Sequence, residues 1–364
     1  MVKRVVIMAG GTGGHVFPGL AVAQELRARG IEIVWMGTRN GLEADVVPKS
    51  GIDIEWVTVS GLRGKRITSW LSAPFKLTSA VIQAMQILLR RKPIAVLGMG
   101  GFVTGPGGMA AWLLRKPLII HEQNAVAGMT NRMLAPLATR VLEAFPGTFA
   151  AKFNAEFTGN PVRGDISALA SPEQRLQGRS GALRLLVIGG SLGAQVLNEM
   201  VPAAVAQFSN DQRPDIWHQT GKRNLESAKG HYKTANVTAR VEPFITDMAA
   251  AYSWADLVLC RAGALTVAEL AAAGLPSILV PYLHAVDDHQ TRNAAYLTNA
   301  HAAVLIPQLQ LSVDKLAQTL RDFCSTPSQW DRDKLLSMAK TARHLAKPDA
   351  TSKVADYCLE AANV

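Results

Sequence analysis

Cysteine is scarce. The chain of 364 residues holds three, Cys260, Cys324 and Cys358, an odd number without the paired spacing of a metal knuckle or a redox pair. That excludes a disulfide-stapled scaffold and fits a reducing cytoplasm. Long apolar runs are missing too. Val5 to Ala9 is too short for the core of an export signal and reads as a first strand. The one long stretch without charge, Pro93 to Leu114, is broken by six glycines and two prolines. A membrane span takes about 20 predominantly apolar residues, so this stretch reads as strand, glycine-rich loop and helix. Acid is absent between Glu55 and Glu122, where Arg63, Lys65, Arg66, Lys76, Arg90, Arg91, Lys92, Arg115 and Lys116 all fall. No repeat of roughly 20 to 50 residues and no low-complexity tract is present.

What is there belongs to a globular α/β protein with ample core, 48% hydrophobic and 18% charged. Domains of roughly 100 to 200 residues make two the expected count. The net charge of +10 is uneven: residues 1–163 carry 19 Lys and Arg against 9 Asp and Glu, and residues 164–364 carry 19 against 19. An anionic partner for the first half follows, either nucleic acid or a membrane surface.

Two glycine turns organise the chain. Val5-Val6-Ile7-Met8-Ala9 runs into Gly10-Gly11-Thr12-Gly13-Gly14-His15, and Leu185-Leu186-Val187-Ile188 runs into Gly189-Gly190-Ser191-Leu192-Gly193-Ala194. In each, a short apolar run stops at glycines and a helical pattern follows, so backbone N–H groups at a helix N-terminus can face an anion. Strands expected near 4–9, 32–36, 94–97 and 118–121, then near 185–188, 215–219, 237–241, 257–260 and 277–280, alternate with helices. The residues after Leu311 read as wholly helical. This predicts two doubly wound domains with a cleft at their carboxyl strand ends, the boundary falling near Arg163 in the turn Gly159-Asn160-Pro161-Val162-Arg163. A domain over 1–163, a second over 164–340 and a last helical segment over 341–364 that packs back on the first are the expected divisions.

Neither turn fits G-x-G-x-x-G, the second strand ends in Gly37-Thr38-Arg39 without a ribose-binding acid, and no G-x-x-x-x-G-K-[ST] occurs, which argues against dinucleotide oxidoreductases and P-loop enzymes. His15 would stand at a helix N-terminus, where the positive dipole end favours the neutral imidazole; it is a candidate general base or a capping and ligand-orienting residue. Glu269, in Gly263-Ala264-Leu265-Thr266-Val267-Ala268-Glu269, could compensate a helix dipole or accept both hydroxyls of a ribose. Asp287-Asp288-His289-Gln290-Thr291-Arg292-Asn293 could hold a metal, cap a helix or, through its amides, meet sugar hydroxyls. Asp331-Arg332-Asp333 reads as a helix start and not as a metal-binding D-x-D. Six glycines between Gly98 and Gly108 suggest close approach of backbone to a ligand. Between 63 and 92 apolar residues interleave with basic ones, as at an interfacial surface, while the aromatic-stacking signatures of RNA binding are absent.

Six ordered motifs together carry a resemblance: Gly10 to His15, Gly98 to Gly108, His121-Glu122-Gln123-Asn124, Gly159 to Arg163, Gly189 to Ala194, and Gly263 to Thr266. Over nearly its whole length the chain resembles the MurG family, peripheral-membrane N-acetylglucosaminyltransferases of bacterial peptidoglycan synthesis. The resemblance implies a GT-B fold of two Rossmann-like domains with an interdomain cleft, the N-terminal one taking the lipid acceptor and the C-terminal one UDP-GlcNAc. It implies inverting transfer of GlcNAc to the 4-hydroxyl of MurNAc in undecaprenyl-diphosphate-MurNAc-pentapeptide, turning lipid I into lipid II for cell-wall growth, shape and division. On the matching positions it places Ser191 and Arg163 at the donor diphosphate, Ile245 at uracil, and Ala264, Leu265 and Thr266, with the adjoining Val267 and Ala268, at the nucleotide sugar. Glu269 falls at the ribose, Gln290 and Asn124 near the sugar, and Thr12, Gly13 and Gly14 along the first loop. His289-Gln290 stands where the family often has paired glutamines. His15 is the expected base and Glu122 the second choice. No cofactor and no metal are implied. The expected location is the cytoplasmic face of the inner membrane, held through the basic apolar region 63–92, with no nucleic-acid partner. Competing readings are another UDP-sugar-dependent glycolipid GT-B transferase and a nonenzymatic membrane-docking protein with a nucleotide fold.

Overall fold

The computed structural model describes residues 3–59, 73–190, 193–283, 288–326 and 329–362. Ser191, Asp287 and the basic residues Arg63, Lys65 and Arg66 lie outside them. The chain forms two compact units, Met1–Arg163 with Lys347–Val364, and Gly164–Ala346.

The first unit is built on seven parallel strands: β1 (Arg4–Ala9), β2 (Glu32–Gly37), β3 (Asp53–Trp56), β4 (Ala95–Gly100), β5 (Leu118–Glu122), β6 (Arg140–Glu143) and β7 (Glu156–Phe157), in spatial order β3-β2-β1-β4-β5-β6-β7. Alternation along β1 feeds two layers. Val5, Ile7 and Ala9 pack with Val16, Leu20 and Ala23 of the helix Gly13–Ala28 and with Val354, Ala355 and Cys358 of the helix Ala350–Ala361. Val6 and Met8 pack on the other face with Ala80, Ala84 and Leu88 of the helix Ala73–Arg91 and Ala110 of the helix Thr104–Leu113. Both faces are covered, so the central strands read as continuous apolar runs.

The second unit repeats the plan with β8 (Arg184–Ile188), β9 (Asp215–Gln219), β10 (Arg240–Glu242), β11 (Leu257–Cys260), β12 (Ser277–Leu279) and β13 (Ala303–Leu305), all parallel, in order β10-β9-β8-β11-β12-β13. In both units the order reverses beside the strand that precedes the glycine turn, between β1 and β4 and between β8 and β11. Ligands of open α/β sheets bind at such switch points, outside the carboxyl ends of the strands.

Two expectations are corrected. The stretch after Leu311 is not wholly helical, because β14 (Cys324–Thr326) and β15 (Gln329–Trp330) pair antiparallel; Trp330 is buried and stacks on Phe208. The return to the first unit falls at Lys347 and not at 341, because the helix Arg332–His344 packs on the helices Ala264–Ala273 and Pro172–Leu176 of the second.

Candidate functional site

In the first unit β1 ends at Ala9 and the helix starts at Gly13, with Thr12 as an extended N-cap whose side chain makes no capping bond. His15 lies in the first turn, which holds no acid. The loop is gripped from beneath by Glu43, a residue without an expected role. Its wholly buried carboxylate accepts from the Gly11 N–H (2.9 Å), the Thr38 N–H (2.9 Å) and the Thr38 hydroxyl (2.7 Å). An acid therefore does return from the end of β2, but its hydrogen bonds hold the loop together. The loop after β4 closes in from the side: Gly101, at φ +86°, lies so near Gly10 that a Cβ would collide with the Gly10 carbonyl, and a Cβ on Gly107 would collide with the Met8 thioether. Gly101 and Gly107 thus allow the chain to pack closely on itself.

The end of β5 completes this cluster. Gln123 Oε1 lies 2.6 Å from His15 Nδ1, and its backbone carbonyl accepts from Asn160 Nδ2 at 3.0 Å. This joins the segment Gly159–Arg163 to the His121–Asn124 turn, with Arg163 half-buried at its end. Glu122, the second-choice base, is 2% exposed. One carboxylate oxygen accepts from the Asn124 N–H (3.0 Å) and Nδ2 (3.2 Å), the other from the Gly128 N–H (3.0 Å) and Asn131 Nδ2 (2.9 Å). Four donors on a buried carboxylate fix the turn and orient Asn124; they suit a positioning role better than proton transfer.

The second unit closes its glycine turn differently. Gln219, at the carboxyl end of β9, donates Nε2 to the Gly190 carbonyl (3.0 Å) and accepts the Ile245 N–H at Oε1 (2.9 Å). Ile245 is thereby tied to the turn, its side chain buried. The helix Gln195–Ala206 begins without a side-chain cap at Ala194 and without an acid in its first turn. After β11, Gly263 opens the helix Ala264–Ala273, with Ala264 and Val267 buried and Leu265, Thr266 and Ala268 half-buried. Glu269 stands six residues into this helix, beyond the first turn where a dipole-compensating acid belongs, and its Oε2 accepts from the Tyr252 hydroxyl at 2.9 Å in a setting 8% exposed. Gln290 accepts the Tyr282 N–H at Oε1 (2.9 Å), which fixes its amide nitrogen as the donor end. Asp288 accepts from the Thr291 hydroxyl (2.7 Å) and Asp331 from the Lys334 N–H (2.9 Å), both at helix starts. Among the described residues no three His, Cys, Asp or Glu side chains gather as metal ligands. Burial pushes the Cys260 thiol up to about 12, which leaves it inert.

Gln123, Gln219 and Glu43 are the polar groups that sequence reading passed over. The first two sit at carboxyl ends of apolar strands, which was the available signal. Glu43 opens a four-residue helix that also carries Asp45, and its partners are set by chain reversal alone.

Two parallel switch-point sheets, each with a glycine turn, make a pair of Rossmann-like units, and the matches that follow make this the GT-B glycosyltransferase fold. Residues 5–143 match the glycosyltransferase family 28 N-terminal domain and residues 184–354 its C-terminal domain. The chain is 57% identical to the UDP-N-acetylglucosamine--N-acetylmuramyl-(pentapeptide) pyrophosphoryl-undecaprenol N-acetylglucosamine transferase of Nitrosococcus oceani, covering 100% of both chains. To the transferase of the same name from Marinobacter nauticus it is 56% identical, over 99% of this chain and 98% of that one. The crystal structure of Acinetobacter baumannii MurG superposes with a TM-score of 0.84 at 41% identity, over 98% of this chain and 99% of that one. The chain belongs to the MurG family.

Proposed function

We propose that this chain transfers GlcNAc from UDP-GlcNAc to the MurNAc 4-hydroxyl of lipid I, giving lipid II and UDP. The observation that carries this reading is full-length identity of 57% to a transferase so named. The second unit takes the donor: Ser191, with Arg163 of the first unit, meets the diphosphate, Ile245 the uracil, Ala264 to Ala268 the nucleotide sugar, Glu269 the ribose and Gln290 the sugar. The first unit takes the acceptor; Thr12, Gly13 and Gly14 line its glycine loop, with Asn124 near the sugar. His15 accepts the 4-hydroxyl proton as that oxygen bonds to the anomeric carbon, and the bond to UDP breaks with its electron pair on the diphosphate. Loop N–H groups, helix N-termini and arginine meet the charge that develops there, a preorganised arrangement worth several kcal/mol by analogy with oxyanion sites. Transfer of labelled GlcNAc to a lipid I analogue with chelator present tests this. Product formation is expected; no transfer, or strict dependence on a divalent ion, sinks it.

The same reading places the chain at the cytoplasmic face of the inner membrane, on lipid and not on nucleic acid. No helix among the described residues is long and apolar enough to cross a membrane. What supports surface attachment is the helix Ala73–Arg91, which exposes Phe75 (80%), Leu77, Ile82 and Leu89 beside Lys76, the helix Thr104–Leu113 packed on it, which exposes Trp112 and Leu113, and the helix Met129–Leu134 packed on that one in turn, which exposes Met129 (73%) and Met133. Arg90 and Arg91 are partly neutralised by Glu55 at 2.6 and 2.7 Å. Binding to vesicles of anionic lipid that falls with added salt is expected, and equal binding to neutral vesicles or none would refute it.

A further inference from the structure

The end of β5 holds a hydrogen-bonded series that decides where a proton can sit. His121 is fully buried, and its Nε2 lies 3.0 Å from the Gly159 carbonyl oxygen. A carbonyl only accepts, so Nε2 carries the hydrogen. Burial holds this imidazole down at about 4, so it is neutral and its Nδ1 offers a lone pair. Gln123 approaches both that Nδ1 and the His121 carbonyl oxygen, each at 3.0 Å. Both are acceptors, which requires the amide nitrogen of Gln123 to face them and turns the amide oxygen the other way. That oxygen lies 2.6 Å from Nδ1 of His15 and demands a hydrogen there. The remaining nitrogen of His15, Nε2, then holds the lone pair. Gly100 presses on the ring beside this bond, since a Cβ at that position would stand 2.7 Å from Nδ1.

We propose that Gln123 is a positioning residue that holds His15 in its Nδ1–H tautomer, so that Nε2 is the atom that takes the proton of the acceptor hydroxyl. The proposal rests on the reading of His15 as the base and adds the accepting atom and the residue that selects it. The Nδ1–H bond to Gln123 becomes charge-assisted once Nε2 is protonated, so the amide stabilises the imidazolium without adding a carboxylate's charge. His121 does not touch the substrate in this scheme; it orients the amide.

Full-length protein labelled with 15N-histidine, with His15 assigned through His15→Gln, gives the tautomer directly by long-range 1H–15N correlation. Neutral His15 is expected with Nδ1 protonated and Nε2 bare. Gln123→Leu should release the ring to a mixture of tautomers and lower kcat roughly 10- to 100-fold, with KM for UDP-GlcNAc kept, by comparison with other residues that orient an imidazole. Gln123→Glu gives up the donor to His121 but keeps an acceptor for Nδ1–H of His15. It should hold the tautomer while moving the acid limb of the kcat profile to higher pH, a shift that a merely structural role would not give. Native His15 protonated at Nε2 overturns the proposal, as does Gln123→Leu with tautomer and kcat unchanged. If Gln123→Leu does not fold, the native spectrum and Gln123→Glu decide. Full turnover by His15→Ala overturns the base reading and the catalytic half of the proposal; the wrong tautomer in a protein that His15→Ala inactivates overturns the proposal alone.

Discussion

The two glycine turns look alike in sequence and are closed by groups of different charge. Beneath the first sits the carboxylate of Glu43, which spends the Gly11 N–H and brings a negative charge of its own. Beside the second sits the neutral amide of Gln219, which ties Gly190 to Ile245 and leaves the N-terminal end of the helix Gln195–Ala206 without any acid in its first turn. A built-in anion makes a loop rigid and discourages a second anion, whereas an uncompensated helix N-terminus invites one. This difference agrees with the proposal that the first turn presents His15 and the second receives a diphosphate. On that proposal one repeated plan serves two tasks.

The largest test of this division is His15→Ala, expected to lower kcat by roughly 100- to 10,000-fold, the range for a general base, with UDP affinity unchanged by calorimetric titration. A parallel loss of UDP affinity would erase the distinction. Next, Glu43→Ala strands two backbone N–H groups and the Thr38 hydroxyl. A loss of about 3 kcal/mol from the first unit alone is expected in chemical denaturation; an even loss in both units would count against it. Acid should act on both units. Burial lowers His121 to about 4 and His218 to about 3 from an ordinary 6.5. Each ring stays neutral when folded and takes up a proton on unfolding below pH 6.5. Stability is therefore intact above 6.5 and falls as pH drops toward the folded values, by about 2 kcal/mol per ring at pH 5. Denaturation midpoints between pH 5 and 7 check this, and a flat profile in either unit removes its histidine from the account. Smallest, Gln219→Glu should weaken UDP binding about tenfold by placing a charge under the second turn; unchanged affinity would mean that the diphosphate is held elsewhere.

The glycine turns, the strands around them and the two-unit plan were legible because central parallel strands are apolar on both faces and stop at glycine. The strands β3, β6, β7 and β13 were not. They have two to four residues, and β3 is only partly buried, so Asp53-Ile54-Glu55-Trp56 carries no apolar run. Ordered motifs singled out His15, Glu122, Asn124, Glu269 and Gln290. Their partners were not visible, because Glu43 under Gly11, Gln123 against His15 and Tyr252 on Glu269 are pairings of residues 17 to 108 positions apart. The glycines of 98–108 were seen, but not the atoms they pack against: sequence shows that a Cβ is missing and not which atom fills its place.

The helix Ala350–Ala361 supplies Val354, Ala355, Cys358 and Ala361 to the same apolar layer as Val5 and Ile7. During synthesis β1 therefore leaves the ribosome long before the side chains that seal it. The inserted second unit has its described strands in hand by then, so the first unit is completed after it, and a premature stop codon near position 347 would damage the first unit more than the second.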